Sequence, residues 1–372
     1  MGQGKHALIF GASGVTGWSF VNEMLNDYPQ PQIWNRVSAL TNRPLTREAA
    51  MWPADERLDI VSGIDLLKGS QDELEEVMRS KIPQVNSVTH VYYFAYKANH
   101  DLHKELQDAV DMFRRAITAI DHLSSGLEFV VLQTGAKMYG CHQLSKRPQE
   151  MRPPLQEAYS EGKNWTWCDT RPDIIVGFVP NNNFYSLATS IAIFLALHVA
   201  IDGEGSDCAF PGSAKSWVAK SNDSSSDMIA RQTIHLSLNG FGDGEGYNVA
   251  DARKWESWES KWPKLCAYFG LRGTPPTEAT TKVNKLRKYI YDHLPEWRVL
   301  EKKHGLRTGI ADSDITLEGF EYFLLTQFDF DRQYDMTKMY STGFAEERGI
   351  LQTWGVVFDR MREAKIIPDH SG

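Results

Sequence analysis

Residues 5–17, Lys-His-Ala-Leu-Ile-Phe-Gly-Ala-Ser-Gly-Val-Thr-Gly, limit the fold more than any other stretch of the chain. An apolar run suited to a buried strand passes directly into three glycines, Gly11, Gly14 and Gly17, and a helical pattern begins near Val15. The first glycine permits a tight turn, the second lets the backbone approach a pyrophosphate, and the third lets the helix pack close on the strand. A helix starting there points its unpaired N–H groups and its positive dipole end at phosphate. Glycine spacing alone is weak evidence, and an ordinary strand–helix turn is the competing reading. The strand before and the helix after supply the context that a dinucleotide-binding turn demands.

The second strand bears on which dinucleotide. Arg36-Val-Ser-Ala-Leu-Thr41 is strand-like and ends in Asn42-Arg43-Pro44. Folds that prefer NAD place a carboxylate at this point for the ribose hydroxyls, whereas an arginine suits the additional phosphate of NADP. Arg43 therefore points to NADP(H); the alternative is a solvated loop charge.

At 372 residues, 42% hydrophobic and 24% charged, the chain has an ordinary globular composition and exceeds the usual size of one compact domain. A net charge of −8 without a basic cluster argues against nucleic acid or an anionic membrane as a partner. The four cysteines, Cys141, Cys168, Cys208 and Cys266, are scattered and form no C-x-x-C, so no disulfide framework or zinc site is indicated. His100 and His103 flank Asp101 as a solvated helix start and not as a metal site. The first strand begins at once, without a signal peptide, and His6 breaks the N-myristoylation pattern. Leu187–Ile201 is too short to span a bilayer. These features suit a reduced, cytoplasmic protein; its oligomeric state is not set by the sequence, and a homodimer is one arrangement open to it.

Strands expected at 6–11, 36–41, 58–62, 88–95 and 127–134 alternate with helices at 15–26, 70–79 and 101–122. Such alternation predicts an α/β fold with a Rossmann-type, doubly wound parallel sheet. A sixth strand is expected over 166–178, leaving the sheet near Pro172, followed by a helix at 184–201, a polar loop at 221–226 and a short strand at Tyr247-Asn-Val. The predicted division is a dinucleotide-binding domain over 1–180, with a sheet contribution from about 245–250, and a smaller, mostly helical substrate cap over 181–372. Aromatics at helical spacing in the last third are core residues first, and those near 317–345 are candidates to wall an apolar pocket.

Several further blocks, together with Gly11–Gly17 and Asn42-Arg43, carry a resemblance: Asp65-Leu66; Val88–Tyr96; Leu132-Gln-Thr-Gly-Ala-Lys-Met-Tyr-Gly140; Arg171-Pro172 with Ile175–Pro180; Phe210-Pro-Gly212 with Ser216-Trp217; Asp227; Tyr247–Val249 with Trp255; and Gly343-Phe344. Spread over nearly the whole chain, they resemble the extended short-chain dehydrogenases/reductases of the progesterone 5β-reductase and iridoid synthase type. The resemblance implies NADPH-dependent hydride delivery to the β-carbon of an enone in a small lipophilic molecule. It also implies cofactor contacts at Gly11, Ser13, Gly14, Val15, Thr16, Gly17, Asn42, Arg43, Asp65, Leu66, Gln133, Thr134, Lys137, Pro172 and Ile175. Lys137 is implied to polarise the substrate carbonyl, and Tyr96, Phe178, Asn182 and Phe184 to line the substrate site.

The chain departs from the family at the catalytic tyrosine. Residues 141–163 contain no Asn-Phe-Tyr-Tyr segment, the interval from Lys137 to Arg171 is shorter than usual for the family, and Met138 stands where histidine is common. Two tyrosines are candidates to substitute. Tyr159 with Lys163 matches Tyr-x-x-x-Lys, whose members share a helix face, although Lys163 lies directly before a strand. Tyr139 lies on the same side as Lys137 if the segment is extended. The gap leaves open a non-redox isomerase, cyclase or epoxide-opening enzyme, or a dinucleotide-sensing binding protein.

Overall fold

Lys5–Phe10 forms β1, whose side chains are buried from His6 onward, as an inner strand covered on both faces must be. The computed structural model describes residues 4–99, 101–140, 162–181, 186–278, 282–313 and 319–369. The chain divides into two units, one comprising residues 1–172, 227–249 and 338–344, the other 173–226, 250–337 and 345–372.

In the first unit, β1 is joined by β2 (Trp34–Thr41), β3 (Leu58–Ser62), β4 (His90–Tyr93), β5 (Phe129–Gln133), β6 (Thr166–Pro172) and β10 (Glu245–Val249). The seven strands run in the order β10-β6-β5-β4-β1-β2-β3. Every pairing is parallel: Ala7–Phe10 lie against Val37–Leu40 on one side and His90–Tyr93 on the other. Strand order reverses between β1 and β4, so the carboxyl ends of these two strands form the switch point at which such sheets bind ligands. Ser70 and Glu73 close a reciprocal capping box on helix Gln71–Lys81, and the Asp101 carboxylate caps helix Leu102–Leu123. These helices bury Leu74, Met78, Phe113 and Ile117 against Leu8, Phe10, Val91 and Val130 of the sheet. Each such side chain contributes about 1.5–3 kcal/mol.

The expected strand over 166–178 is two strands. β6 stops at Pro172, which has no N–H to continue a ladder, and β7 (Ile174–Val176) pairs instead with β9 (Asp223–Ser225) in the second unit. The expected polar loop at 221–226 therefore contains β9 and the first residue of helix Ser226–Leu238. Its serines are buried because their polar groups are satisfied internally. Ser224 Oγ accepts from the Asp173 N–H at 3.0 Å, and the Ser225 N–H and Oγ both donate to Asp251 Oδ1 at 2.7 Å. The helix read over 184–201 is Leu187–Asp202.

The second unit is mostly helical, with a second short pair of strands, β8 (Asp207–Ala209) and β11 (Arg272–Thr274). Helix Leu187–Asp202 is buried nearly all round, and Trp262, Trp297 and Trp354 are core side chains. Among the described residues no helix is long and apolar enough to cross a membrane.

Candidate functional site

The turn after β1 is shaped by steric exclusion. Gly11 adopts φ +78°, and a Cβ there would come within 2.8 Å of the Phe94–Ala95 backbone where the chain leaves β4. A Cβ on Gly17 would meet the Gly11 carbonyl oxygen at 2.4 Å. Gly14 caps helix Val15–Leu25 without any side-chain hydrogen bond, so no N-cap side chain takes up the N–H groups of the first turn. Beside it, Gln133 Nε2 donates to Thr16 Oγ1 at 3.2 Å, while the buried Gln133 Oε1 has no partner among the described residues. A tight glycine cradle, an uncapped helix start and an orphaned acceptor at the switch point fit a dinucleotide.

Around this turn, Asn42 and Arg43 are exposed just beyond β2. The Arg43 guanidinium makes no hydrogen bond or ion pair among the described residues, and its carbonyl accepts from Thr41 Oγ1 at 2.7 Å. The Asp65 carboxylate accepts from the Leu67 N–H at 3.0 Å and so shapes the bend after β3, with Leu66 buried beside it. Pro172 is the last residue of β6, and Ile175 lies in β7 of the second unit.

Lys137 is exposed on a single helical turn, Ala136–Tyr139, that follows β5. Tyr139 donates its hydroxyl proton to Asn248 Oδ1 at 2.7 Å and accepts from Arg171 Nη1 at 3.2 Å. Arg171 in turn grips Asp169, Nε to Oδ2 at 2.6 Å and Nη2 to Oδ1 at 3.2 Å, and Thr134 Oγ1 donates to the same carboxylate at 3.1 Å. Both members of this ion pair are buried. Next to them, burial and the Asp169 charge push the Cys168 thiol well up, which keeps it protonated and inert. The structure thus joins Thr134 and Tyr139 to three residues that the sequence reading had not assigned as a group: Asp169, Arg171 and Asn248. The available signal was two opposite charges two residues apart in a strand, where side chains share a face.

Tyr159, Asn182 and Phe184 lie outside the described residues. The lysine of the Tyr-x-x-x-Lys pair is engaged elsewhere, since Lys163 Nζ bonds Asp121 Oδ2 at 2.6 Å. Tyr96 is 47% exposed and its hydroxyl bonds Glu105, whereas Phe178 is buried in the core of the second unit. Of the aromatics near 317–345, Phe320, Tyr322 and Phe323 are half-buried, while Phe328 and Tyr334 are core. Asp101 caps its helix through the N–H groups of His103 and Lys104, and His100 lies outside the described residues. Among the described residues no group of three or more His, Cys, Asp or Glu is arranged to hold a metal ion.

The PRISE-like Rossmann-fold domain model matches residues 7–158 and 155–368. The short chain dehydrogenase sirQ of Leptosphaeria maculans is 31% identical over 97% of this chain and 97% of its own. The 3-oxo-Delta(4,5)-steroid 5-beta-reductase of Arabidopsis thaliana is 25% identical over 97% of this chain and 93% of its own. Among solved structures, the Bordetella bronchiseptica enzyme WbmF, in complex with NADH, superposes with a TM-score of 0.61 at 13% identity, covering 97% of this chain and 94% of that one.

Proposed function

Because the chain belongs to the PRISE-like Rossmann-fold family, we propose that it is an NADPH-dependent reductase acting on an activated carbon–carbon double bond, or a carbonyl, of a small lipophilic specialised metabolite. The observation that carries this reading is the uncapped glycine turn at the switch point of the sheet, with the unpaired Arg43 guanidinium beyond the next strand. In this reading the backbone N–H groups of the turn hold the pyrophosphate, and Arg43 pairs with the 2′-phosphate that distinguishes NADPH from NADH. When bound, the nicotinamide supplies a hydride. The Lys137 ammonium donates a hydrogen bond to the substrate oxygen as it gains charge, where a preorganised donor lowers the barrier most. Cofactor binding is assigned to 1–180 with 245–250, and substrate binding to 181–372 with Tyr96. The steroid reductase and dehydrogenase names of the relatives support the redox chemistry.

The absence of an Asn-Phe-Tyr-Tyr segment between Lys137 and Arg171 favours a second reading, a non-redox isomerase or cyclase that keeps the dinucleotide. One experiment separates the two. Purified protein is given NADPH and a panel of small enones, and both cofactor consumption and product mass are recorded. Oxidation with a gain of two hydrogens is the expected result; a product of unchanged mass, without oxidation, would replace the reductase with the isomerase.

A further inference from the structure

The turn that carries Lys137 has little of its own to hold it. None of its four residues, Ala136–Tyr139, is buried. It is flanked by Gly135 at φ +155° and Gly140 at φ +72°, conformations that residues with side chains rarely adopt. At its two ends the Met138 N–H donates to the Gly135 carbonyl at 3.0 Å and the Gly140 N–H to the Lys137 carbonyl at 2.9 Å. Its side-chain anchor among the described residues is Tyr139.

That anchor is rigid. Asn248 lies in β10 and Arg171 in β6, adjacent strands paired Asn248 to Arg171. The guanidinium is clamped by Asp169 and also lies 5.3 Å from the centre of the Tyr139 ring. A Cβ on Gly246 would come within 2.2 Å of Arg171 Nη2, so β10 carries glycine where the guanidinium passes. The phenol proton is donated to an amide oxygen, which accepts a hydrogen bond but is too weak a base to take the proton, and this suits a tether.

We propose that Tyr139 is a positioning residue: its phenol, held by Asn248 and Arg171 at the end of the sheet, fixes the turn Ala136–Tyr139 and thereby the direction of Lys137. The proposal rests on the assignment of Lys137 to the substrate oxygen. A displaced donor weakens turnover more than cofactor binding, because Lys137 is one of many residues assigned to the cofactor and the pyrophosphate turn lies on a different loop.

The test is Tyr139→Phe, which keeps the ring over Arg171 and removes only the hydroxyl. Amide exchange of the segment 135–140, followed by mass spectrometry, is expected to accelerate. In the same variant kcat for enone reduction falls by about ten- to a hundredfold, the scale of a misplaced catalytic group, with NADPH affinity within about twofold. In a Lys137→Ala background the same change alters residual turnover by less than about twofold, because its effect passes through the lysine. Asn248→Ala reproduces the exchange and rate effects, and Asn248→Asp, which keeps an acceptor for the phenol, restores them. Unchanged exchange in Tyr139→Phe overturns the tether, and an equal loss with and without Lys137 overturns its link to the lysine. If the wild-type protein consumes no NADPH with any enone, the role of Lys137 fails, while the exchange comparison still decides the tether.

Discussion

In the proposed function, cofactor choice turns on a single side chain, Arg43. It is exposed, lies two residues past the end of β2, and has no partner to compete for its guanidinium among the described residues. Arg43→Ala is expected to weaken NADPH binding by about 1.5–3 kcal/mol, the range of a charge-assisted contact, and to leave NADH binding nearly unchanged. Titration of both cofactors against both proteins measures this, and equal losses would contradict the assignment. At this scale the glycine turn was legible in the sequence because it is read from a local pattern: a residue type at a fixed offset from a strand end. The Asp169–Arg171–Tyr139–Asn248 network was not. Its members come from three separate stretches of chain, and only the parallel pairing of β6 with β10 brings Asn248 beside Arg171.

At the scale of elements, β9 shows how composition misleads. Ser221-Asn-Asp-Ser-Ser-Ser226 reads as a polar loop, yet it includes a strand whose buried serines bond the Asp173 N–H and the Asp251 carboxylate. Asp251 bears a cost for this role. Burial, opposed by its bonds from Thr353 and Ser225 and reinforced by the Asp223 charge, pushes its carboxyl up to about 7. The folded-state value lies above the ordinary one of 3.8, so between these values the folded protein binds more protons than the unfolded chain. Stability from this group is therefore full at low pH and is lost as pH rises towards about 7. Asp251→Asn retains an acceptor for Ser225 and an amide for Thr353 while removing the titration. Urea unfolding at about pH 5 and about pH 8 should show the wild type losing stability relative to the variant across that interval, whereas parallel behaviour would contradict the shift. The regular βα elements of the first unit were legible to within one to three residues at most ends, because alternating apolar runs and capping residues such as Ser70 and Asp101 mark them locally.

Over the whole molecule, the chain completes its first unit only by returning to it. Residues 227–249, which include β10 and all but the first residue of helix Ser226–Leu238, belong with 1–172, as do residues 338–344. A fragment ending at residue 180 lacks the strand that covers β6, and it exposes the edge that holds Cys168 and Arg171. Such a fragment is expected to show no cooperative thermal unfolding, and a sharp transition like that of the full chain would contradict this division. The sheet contribution near 245–250 was legible from Tyr247-Asn-Val, whereas the return of 338–344 was not, since no periodic pattern marks it. The family model matches nearly the full chain, over residues 7–158 and 155–368. Residues 141–163 contain no Asn-Phe-Tyr-Tyr, while the glycine turn after β1 has the steric form of a cofactor cradle. The claim that hydride still passes from that cradle is tested most directly with NADPH carrying deuterium at the transferred position of the nicotinamide. Reduction of an enone by the purified protein should yield a saturated product bearing one deuterium from the cofactor and one hydrogen from water. A product without deuterium, formed while the labelled NADPH remains unconsumed, would contradict the account.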